Sequence, residues 1–150
     1  MKKIFVLLVV TCFAIFTSAQ VKNPVKWEFS AKKLSAMSYE VHLKAKIDKG
    51  WHLYSQTTPE GGPVATTFSF NKNPLLSVTG TIKEDGKMER HFEKLFDVEV
   101  KQFSGKVDFV MIVNLKATAK TSLTGSVEFM TCNDHECLPP RTEKFSIALK

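Results

Sequence analysis

After its first 20 residues the sequence has no apolar run long enough to cross a membrane, and its lysines never form a dense block. The first absence argues against an integral membrane chain, and the second argues against nucleic acid as a partner. The Gly-x-Ser-x-Gly, His-Glu-x-x-His and glycine-rich phosphate-loop motifs are also missing, so hydrolytic chemistry finds little support. No internal repeat, low-complexity tract or linker divides the chain.

The N-terminus has the pattern of a secretory signal peptide over residues 1–19. Two lysines precede an apolar run over residues 4–16, and small residues lead to a cleavage point after Ala19. That run is too short to span a bilayer comfortably. Residues 20–150 would then form one exported domain of 131 residues, and its formal charge falls from +6 to +4 because the two lysines leave with the signal peptide.

The sequence has little cysteine, three residues in all, and Cys12 lies inside the predicted signal peptide. Cys132 and Cys137 remain, and an even number in an exported protein fits one disulfide. A chain of this length buries a core without a staple. A bond that closes so small a loop contributes only about 2 kcal/mol in the chain-entropy model. From the residues alone the pair fits a redox site and a structural staple equally well.

Period-2 alternation of apolar and polar residues recurs along the chain, whereas no segment has a convincing helical period. Residues 37–48, MSYEVHLKAKID, place six apolar side chains on one strand face, and residues 106–117 repeat the pattern. Turn sequences such as Asp48-Lys49-Gly50 and Asp85-Gly86 separate the strands. Seven to nine strands of this kind predict an all-β, immunoglobulin-like β-sandwich, with a closed barrel as the alternative.

Residues 84–98, EDGKMERHFEKLFDV, do not alternate and carry many charges. They fit either a long polar connection, pinned by a few apolar side chains, or a loop that covers a functional site.

The segment 129–145, FMTCNDHECLPPRTEKF, places the two cysteines at a hairpin-like connection between two strands. The last strand is expected to begin after Pro140. Cross-strand neighbours can reach the separation that a disulfide needs. The two carboxylates between the cysteines disfavour a thiolate, whereas a protonated His135 favours it.

Metal binding is a third possibility for this segment. Cys132, His135 and Cys137 could supply sulfur and nitrogen ligands, but their spacing matches none of the usual zinc patterns. A second pair of ligands is also missing. A solvated loop histidine is the simplest interpretation of His135.

Two stretches carry a resemblance to a known family. Residues 127–147, VEFMTCNDHECLPPRTEKFSI, and residues 46–63, KIDKGWHLYSQTTPEGGP, are similar to the N-terminal periplasmic domain of the thiol:disulfide interchange protein DsbD. Single-domain relatives known as disulfide bond corrector proteins share this pattern. A strand, a cysteine pair in a short polar loop, two prolines and a final strand form the shared layout, and the resemblance covers essentially the whole mature chain.

The resemblance implies an immunoglobulin-like sandwich in the periplasm, with Cys132 and Cys137 as a redox pair that works through mixed disulfides. It implies an enzyme of the protein-disulfide reductase, or thiol-disulfide oxidoreductase, type. A thioredoxin-like domain would donate electrons, fed by a separate membrane-embedded carrier, and periplasmic thiol-disulfide proteins would accept them. No cofactor, metal or small-molecule substrate is implied. Cys137 is expected to be the cysteine that partners attack.

The resemblance also implies a cap loop whose phenylalanine shields the cysteines. Residues 84–98 fall where that loop belongs, with Phe96 as the best match for the shielding residue and Phe92 as the second. The expected surroundings of the active site are Trp51, His52, Tyr54, His135 and Pro139.

A second interpretation has the same fold but no enzymatic activity. In it the chain is an immunoglobulin-like interaction module with a structural disulfide, and it binds a partner through residues 84–98 or the Trp51 region. The reduction potential and solvent access of the cysteine pair distinguish the two interpretations.

Overall fold

A computed structural model describes residues 22–150, so the predicted signal peptide lies outside the described residues. Within that range the chain forms eight β-strands and no helix, which confirms the all-β prediction. Accordingly, residues 22–150 offer no helix of the length and apolarity that crossing a bilayer requires.

All strand pairings are antiparallel, and β6 and β7 are the two strands with several neighbours. β6 pairs with β2, β3 and β5, whereas β7 pairs with β3, β4 and β8. β3 therefore joins the two halves of a curled, immunoglobulin-like sandwich. β1, β4, β5 and β8 each pair with a single neighbour, and β2 lies between β1 and β6. The pairings among the described strands therefore do not close the sheet into a barrel. The strands are β1 (Val25–Ser35), β2 (Ser38–Ile47), β3 (His52–Tyr54), β4 (Thr67–Phe70), β5 (Leu76–Glu93), β6 (Val98–Leu115), β7 (Thr121–Cys132) and β8 (Cys137–Leu149).

The main core forms where the predicted alternation is strongest. Alternate residues of β2 from Tyr39 to Ile47 are buried, and Leu43 lies opposite Phe109 of β6 in the ladder. Trp27 packs against Phe109 with 5.8 Å between ring centroids and against Phe129 with 5.5 Å. Each fully buried side chain of this size stabilises the fold by roughly 1.5–3 kcal/mol, so this core holds the sandwich together.

The prediction of a long connection over residues 84–98 is wrong. β5 continues to Glu93 and pairs with β6 up to the partner Val98, so only residues 94–97 form a turn. Asp97 takes the left-handed conformation there, with a φ of 56°. Most side chains of β5 are exposed on both faces, and a strand without a buried face needs no alternation of apolar and polar residues.

Two local predictions are also corrected. Asp85-Gly86 is not a turn but lies inside β5, next to an irregularity in the ladder with β6. The last strand begins at Cys137 and includes both prolines, Pro139 and Pro140. They fall at a register shift between β7 and β8, where a missing N–H removes no regular ladder bond.

Candidate active site at the Cys132–Cys137 disulfide

The two cysteines form a disulfide across the end of the β7–β8 hairpin. They are direct partners in the ladder, with 4.0 Å between their Cα atoms. Cys132 is fully buried, whereas Cys137 is partly exposed. The bond therefore presents one accessible sulfur and keeps the other inside. Among the described residues no group of three histidine, cysteine or acidic side chains is placed to hold a metal ion.

The four-residue turn between the cysteines is organised by Asn133. Its side-chain Oδ1 accepts hydrogen bonds of 2.8 Å from the backbone N–H groups of His135 and Glu136. Its own backbone N–H donates to the carbonyl of Glu136 at 2.9 Å. Asparagine is favoured where a side chain must close a turn in this way. Asn133 was not among the predicted site residues, although its position directly after a strand was the available signal.

The disulfide lies on the sheet face that points away from the main core. Along β3 the side chains alternate, so Leu53 joins the main core while Tyr54 points to the opposite face. There Tyr54 packs with Val100 and Cys132 in a second cluster. Val98, Met130 and Cys137 pack against that cluster. The short strand β3 thus places residues of the GWHLY stretch, residues 50–54, beside the cysteine pair.

His52 is the cross-strand neighbour of Cys132 in the β3–β7 ladder. Its Nδ1 lies 3.4 Å from the hydroxyl of Ser104, and its Nε2 lies 3.9 Å from a carboxylate oxygen of Asp134. The His91 ring lies 6.4 Å away, centroid to centroid. Cys132 therefore sits between the His52 strand on one side and Cys137 on the other.

Tyr54 and Glu93 form a buried hydrogen bond at the other side of the second cluster. The Tyr54 hydroxyl donates to Glu93 Oε2 at 3.0 Å. Burial raises the pKa of the Tyr54 hydroxyl far above its ordinary value, and the Glu93 carboxylate raises it further. The hydroxyl consequently stays a donor at physiological pH and fixes the end of β5 above the cluster. Glu93 was not among the predicted site residues, because its burial depends on the β5–β6 pairing.

The connection between β3 and β4 also covers this face. The backbone N–H of Val64 donates to the sulfur of Met130 at 3.4 Å. The Thr66 hydroxyl donates to the carbonyl of Tyr54 at 2.6 Å. A second short segment is the turn 94–97. On one side of it Glu93 is hydrogen-bonded to Tyr54, and on the other side Val98 packs against the second cluster. The disulfide is therefore flanked by two irregular segments.

The structure brings some of the predicted site residues together and separates others. His52 and Tyr54 share a face with the cysteines, whereas Trp51 packs against the main core. Trp51 nevertheless lines a shallow pocket of about 330 Å³ together with Asn133. Phe96 lies half-buried in the turn 94–97, while Phe92 is 53% exposed on β5. The side chains of His135 and Pro139 are exposed.

The comparisons with known structures show relatives with the same fold. The chain is similar to the N-terminal periplasmic domain of ScsB from Proteus mirabilis, with a TM-score of 0.51 and 18% identity over 83% of this chain. It spans 44% of the length of that ScsB chain. It is also similar to the reduced N-terminal domain of DsbD from Neisseria meningitidis, with a TM-score of 0.51 and 16% identity, over 75% of this chain and 85% of that one.

A third similar structure is a complex between the N-terminal domains of DsbD and PilB from Neisseria meningitidis. Its TM-score is 0.50 and its identity 13%, over 81% of this chain and 80% of that one. No curated protein sequence matches this chain. The family model of the N-terminal part of the thiol:disulfide interchange protein DsbD, however, matches residues 19–149. With its cysteine pair joined at the end of this sandwich, the chain belongs to the family of DsbD N-terminal domains.

Proposed function

We propose that the protein relays electrons through the Cys132–Cys137 pair, between a thioredoxin-like donor and acceptor proteins of the periplasm. Its activity is that of a thiol-disulfide oxidoreductase, of the protein-disulfide reductase type. The asymmetry of the disulfide carries this proposal, because one sulfur is accessible to a partner and the other is enclosed. Membership of the DsbD N-terminal family supports thiol-disulfide exchange as the chemistry.

Each transfer is a pair of thiol-disulfide exchange steps. A donor thiolate attacks the sulfur of Cys137, the Cys132–Cys137 bond breaks, and its electron pair stays on the sulfur of Cys132. The second thiol of the donor then attacks the mixed disulfide and releases Cys137. The donor leaves as a disulfide and the protein keeps a dithiol, which reduces an acceptor by the same steps in reverse.

A purely structural disulfide would add little stability at this position. Cys132 and Cys137 already face each other in a continuous ladder and are connected by a turn of four residues. A bond that closes so short a loop contributes about 2 kcal/mol in the chain-entropy model. A disulfide stabilises a fold more usefully where it joins two sheets that are held only by packing than where it joins strands that are already paired. This favours a redox role of the bond over a structural one.

The partners and the location form part of the same proposal. Residues 1–19 act as the signal peptide, and residues 20–150 form the exported domain. The similar ScsB domain is a periplasmic one, which supports this location. The complex of the similar Neisseria meningitidis domain with a PilB domain supports direct docking to a protein partner. A separate membrane protein would carry electrons to the donor.

Phe96 is proposed to be the residue that shields the cysteines. It lies in the turn 94–97, whose two ends are held on the second cluster by Glu93 and Val98. It is half-buried, whereas Phe92 and Leu95 are exposed, and this burial supports Phe96 over Phe92 as the shielding residue. The exposed pair gives the tip of the hairpin an apolar surface for contact with a partner.

The proposed function is tested by reduction with a thioredoxin. The oxidised protein is added to thioredoxin, thioredoxin reductase and NADPH, and NADPH consumption is followed. We expect rapid consumption of one NADPH per protein disulfide, because the Cys137 sulfur is open to attack. The variant with both cysteines changed to serine should consume none. A native protein that keeps its disulfide through prolonged incubation would contradict the relay and favour the interaction module.

A further inference from the structure

We propose that His52 supplies a proton to Cys132 when the disulfide opens and removes it when the disulfide forms again. This inference rests on the proposed function, since it assigns an acid–base group to that exchange. Thiol-disulfide exchange in general requires only thiolates. The proton donor proposed here is therefore a feature of this site, and it follows from the surroundings of Cys132. Imidazole is the side chain best suited to give and take protons near neutral pH.

The ladder places the imidazole beside the enclosed sulfur. His52 and Cys132 are direct partners in the β3–β7 pairing, and their side chains leave the sheet on the same face. Side chains paired in this way have Cβ atoms roughly 4.5–5.5 Å apart. His52 is only 18% exposed in its side chain, so it lies largely between the strands and the disulfide turn.

The burial of Cys132 favours a proton donor beside its sulfur. Cys132 is fully buried and packs with Tyr54 and Val100. A thiolate released among these groups would be poorly solvated, and burial without a partner disfavours a charge. The opening step therefore becomes easier when a proton reaches the sulfur as the electron pair arrives.

The other titratable groups on this face are less suitable for that role. The Tyr54 hydroxyl is committed to Glu93, and the carboxylate of Glu93 would repel a thiolate. His91 belongs to β5 and pairs with Val100 rather than with Cys132, and its ring lies 6.4 Å from the His52 ring, centroid to centroid. Asp134 is 83% exposed, and its carboxylate oxygen lies 3.9 Å from the Nε2 of His52, on the side of the disulfide turn.

A donor thiolate forms a bond to the Cys137 sulfur while the Cys132–Cys137 bond breaks, and the Cys132 sulfur takes the electron pair together with a proton from the His52 imidazolium. In the reverse direction neutral His52 accepts the proton of the Cys132 thiol, and the resulting thiolate attacks the mixed disulfide at Cys137. The Ser104 hydroxyl, 3.4 Å from Nδ1, fixes the orientation of the ring.

The test compares His52→Gln with the wild type in reduction by dithiothreitol across a range of pH. The ratio of the two rates removes the titration of the reagent itself, because both proteins meet the same thiolate concentration. We expect the variant to react about tenfold more slowly near pH 6 and within about twofold of the wild type near pH 8.5. His91→Gln is the matched control and should follow the wild type throughout.

A second variant keeps the test valid if His52→Gln does not fold. Asp134→Asn changes an exposed turn residue, and it should lower the rate near pH 6 by about twofold because it weakens the attraction for the protonated ring. A rate ratio for His52→Gln that does not change with pH, or that matches the ratio for His91→Gln, would overturn the role of His52. If the folded wild type itself resists dithiothreitol, the proposed function fails instead.

Discussion

Cys137 alone should react with iodoacetamide about a hundredfold faster than Cys132 alone. The comparison uses Cys132→Ser, which leaves the partly exposed Cys137, and Cys137→Ser, which leaves the fully buried Cys132. A buried thiol reacts only when the structure opens around it, and an opening that costs about 2.7 kcal/mol reduces the rate by this factor. The rates are measured by mass spectrometry after timed quenching at neutral pH.

The same two variants should also differ toward a partner. In Cys132→Ser the Cys137 thiolate can attack the disulfide of an oxidised partner, and the mixed disulfide should persist because this protein has no second thiol to attack it. In denaturant both variants should be alkylated at similar rates, which serves as the control for intrinsic reactivity. Equal rates in the folded proteins, or faster alkylation of Cys132, would show that partners do not approach from the Cys137 side.

Changing Phe96 to alanine should accelerate alkylation of the reduced cysteine pair by about tenfold. Phe96 is half-buried in the turn 94–97, and removal of its ring forfeits about 1.4 kcal/mol of the free energy that keeps the turn closed. The increase should follow the population of open turns, because the closed turn restricts the approach of reagents to the partly exposed Cys137 and the buried Cys132. The experiment uses the fully reduced protein and iodoacetamide under native conditions.

Two neighbouring residues provide matched controls for Phe96. Leu95 is 63% exposed in the same turn, and Phe92 is 53% exposed on the adjoining strand. Alanine at either position removes a large apolar side chain, as Phe96→Ala does, but does not uncover the cysteines. The alkylation rate should therefore remain within about twofold of the wild type. No change in Phe96→Ala would refute the shielding role, and equal acceleration in Leu95→Ala would assign the effect to the turn as a whole.

The strands of the main core could be predicted because each has one buried and one solvated face. The alternation over residues 37–48 matches the buried side chains of β2, and the pattern over residues 106–117 matches β6. The hairpin formed by residues 84–93 and β6 gave no such signal, because most of its side chains on β5 are solvated on both faces. Its strands are held by backbone pairing, which side-chain patterns do not reveal.

The composition of the candidate site was only partly predictable. The predicted disulfide is formed, and family resemblance directed attention to the GWHLY stretch. The position of His52 beside Cys132, however, depends on a three-residue strand that pairs with β6 on one side and β7 on the other. The burial of Glu93 likewise depends on a long-range pairing. Trp51 lies just before β3 and packs against the main core, whereas His52 pairs with Cys132.

The reduction potential of the Cys132–Cys137 bond tests the central proposal most directly. The protein without its signal peptide is equilibrated with defined ratios of reduced and oxidised glutathione, quenched by alkylation, and the reduced fraction is read from the mass shift. A potential between about −180 and −270 mV is expected, since proteins that exchange disulfides lie in this range. A potential below about −300 mV, typical of structural disulfides, would contradict the relay and leave an interaction module with a staple.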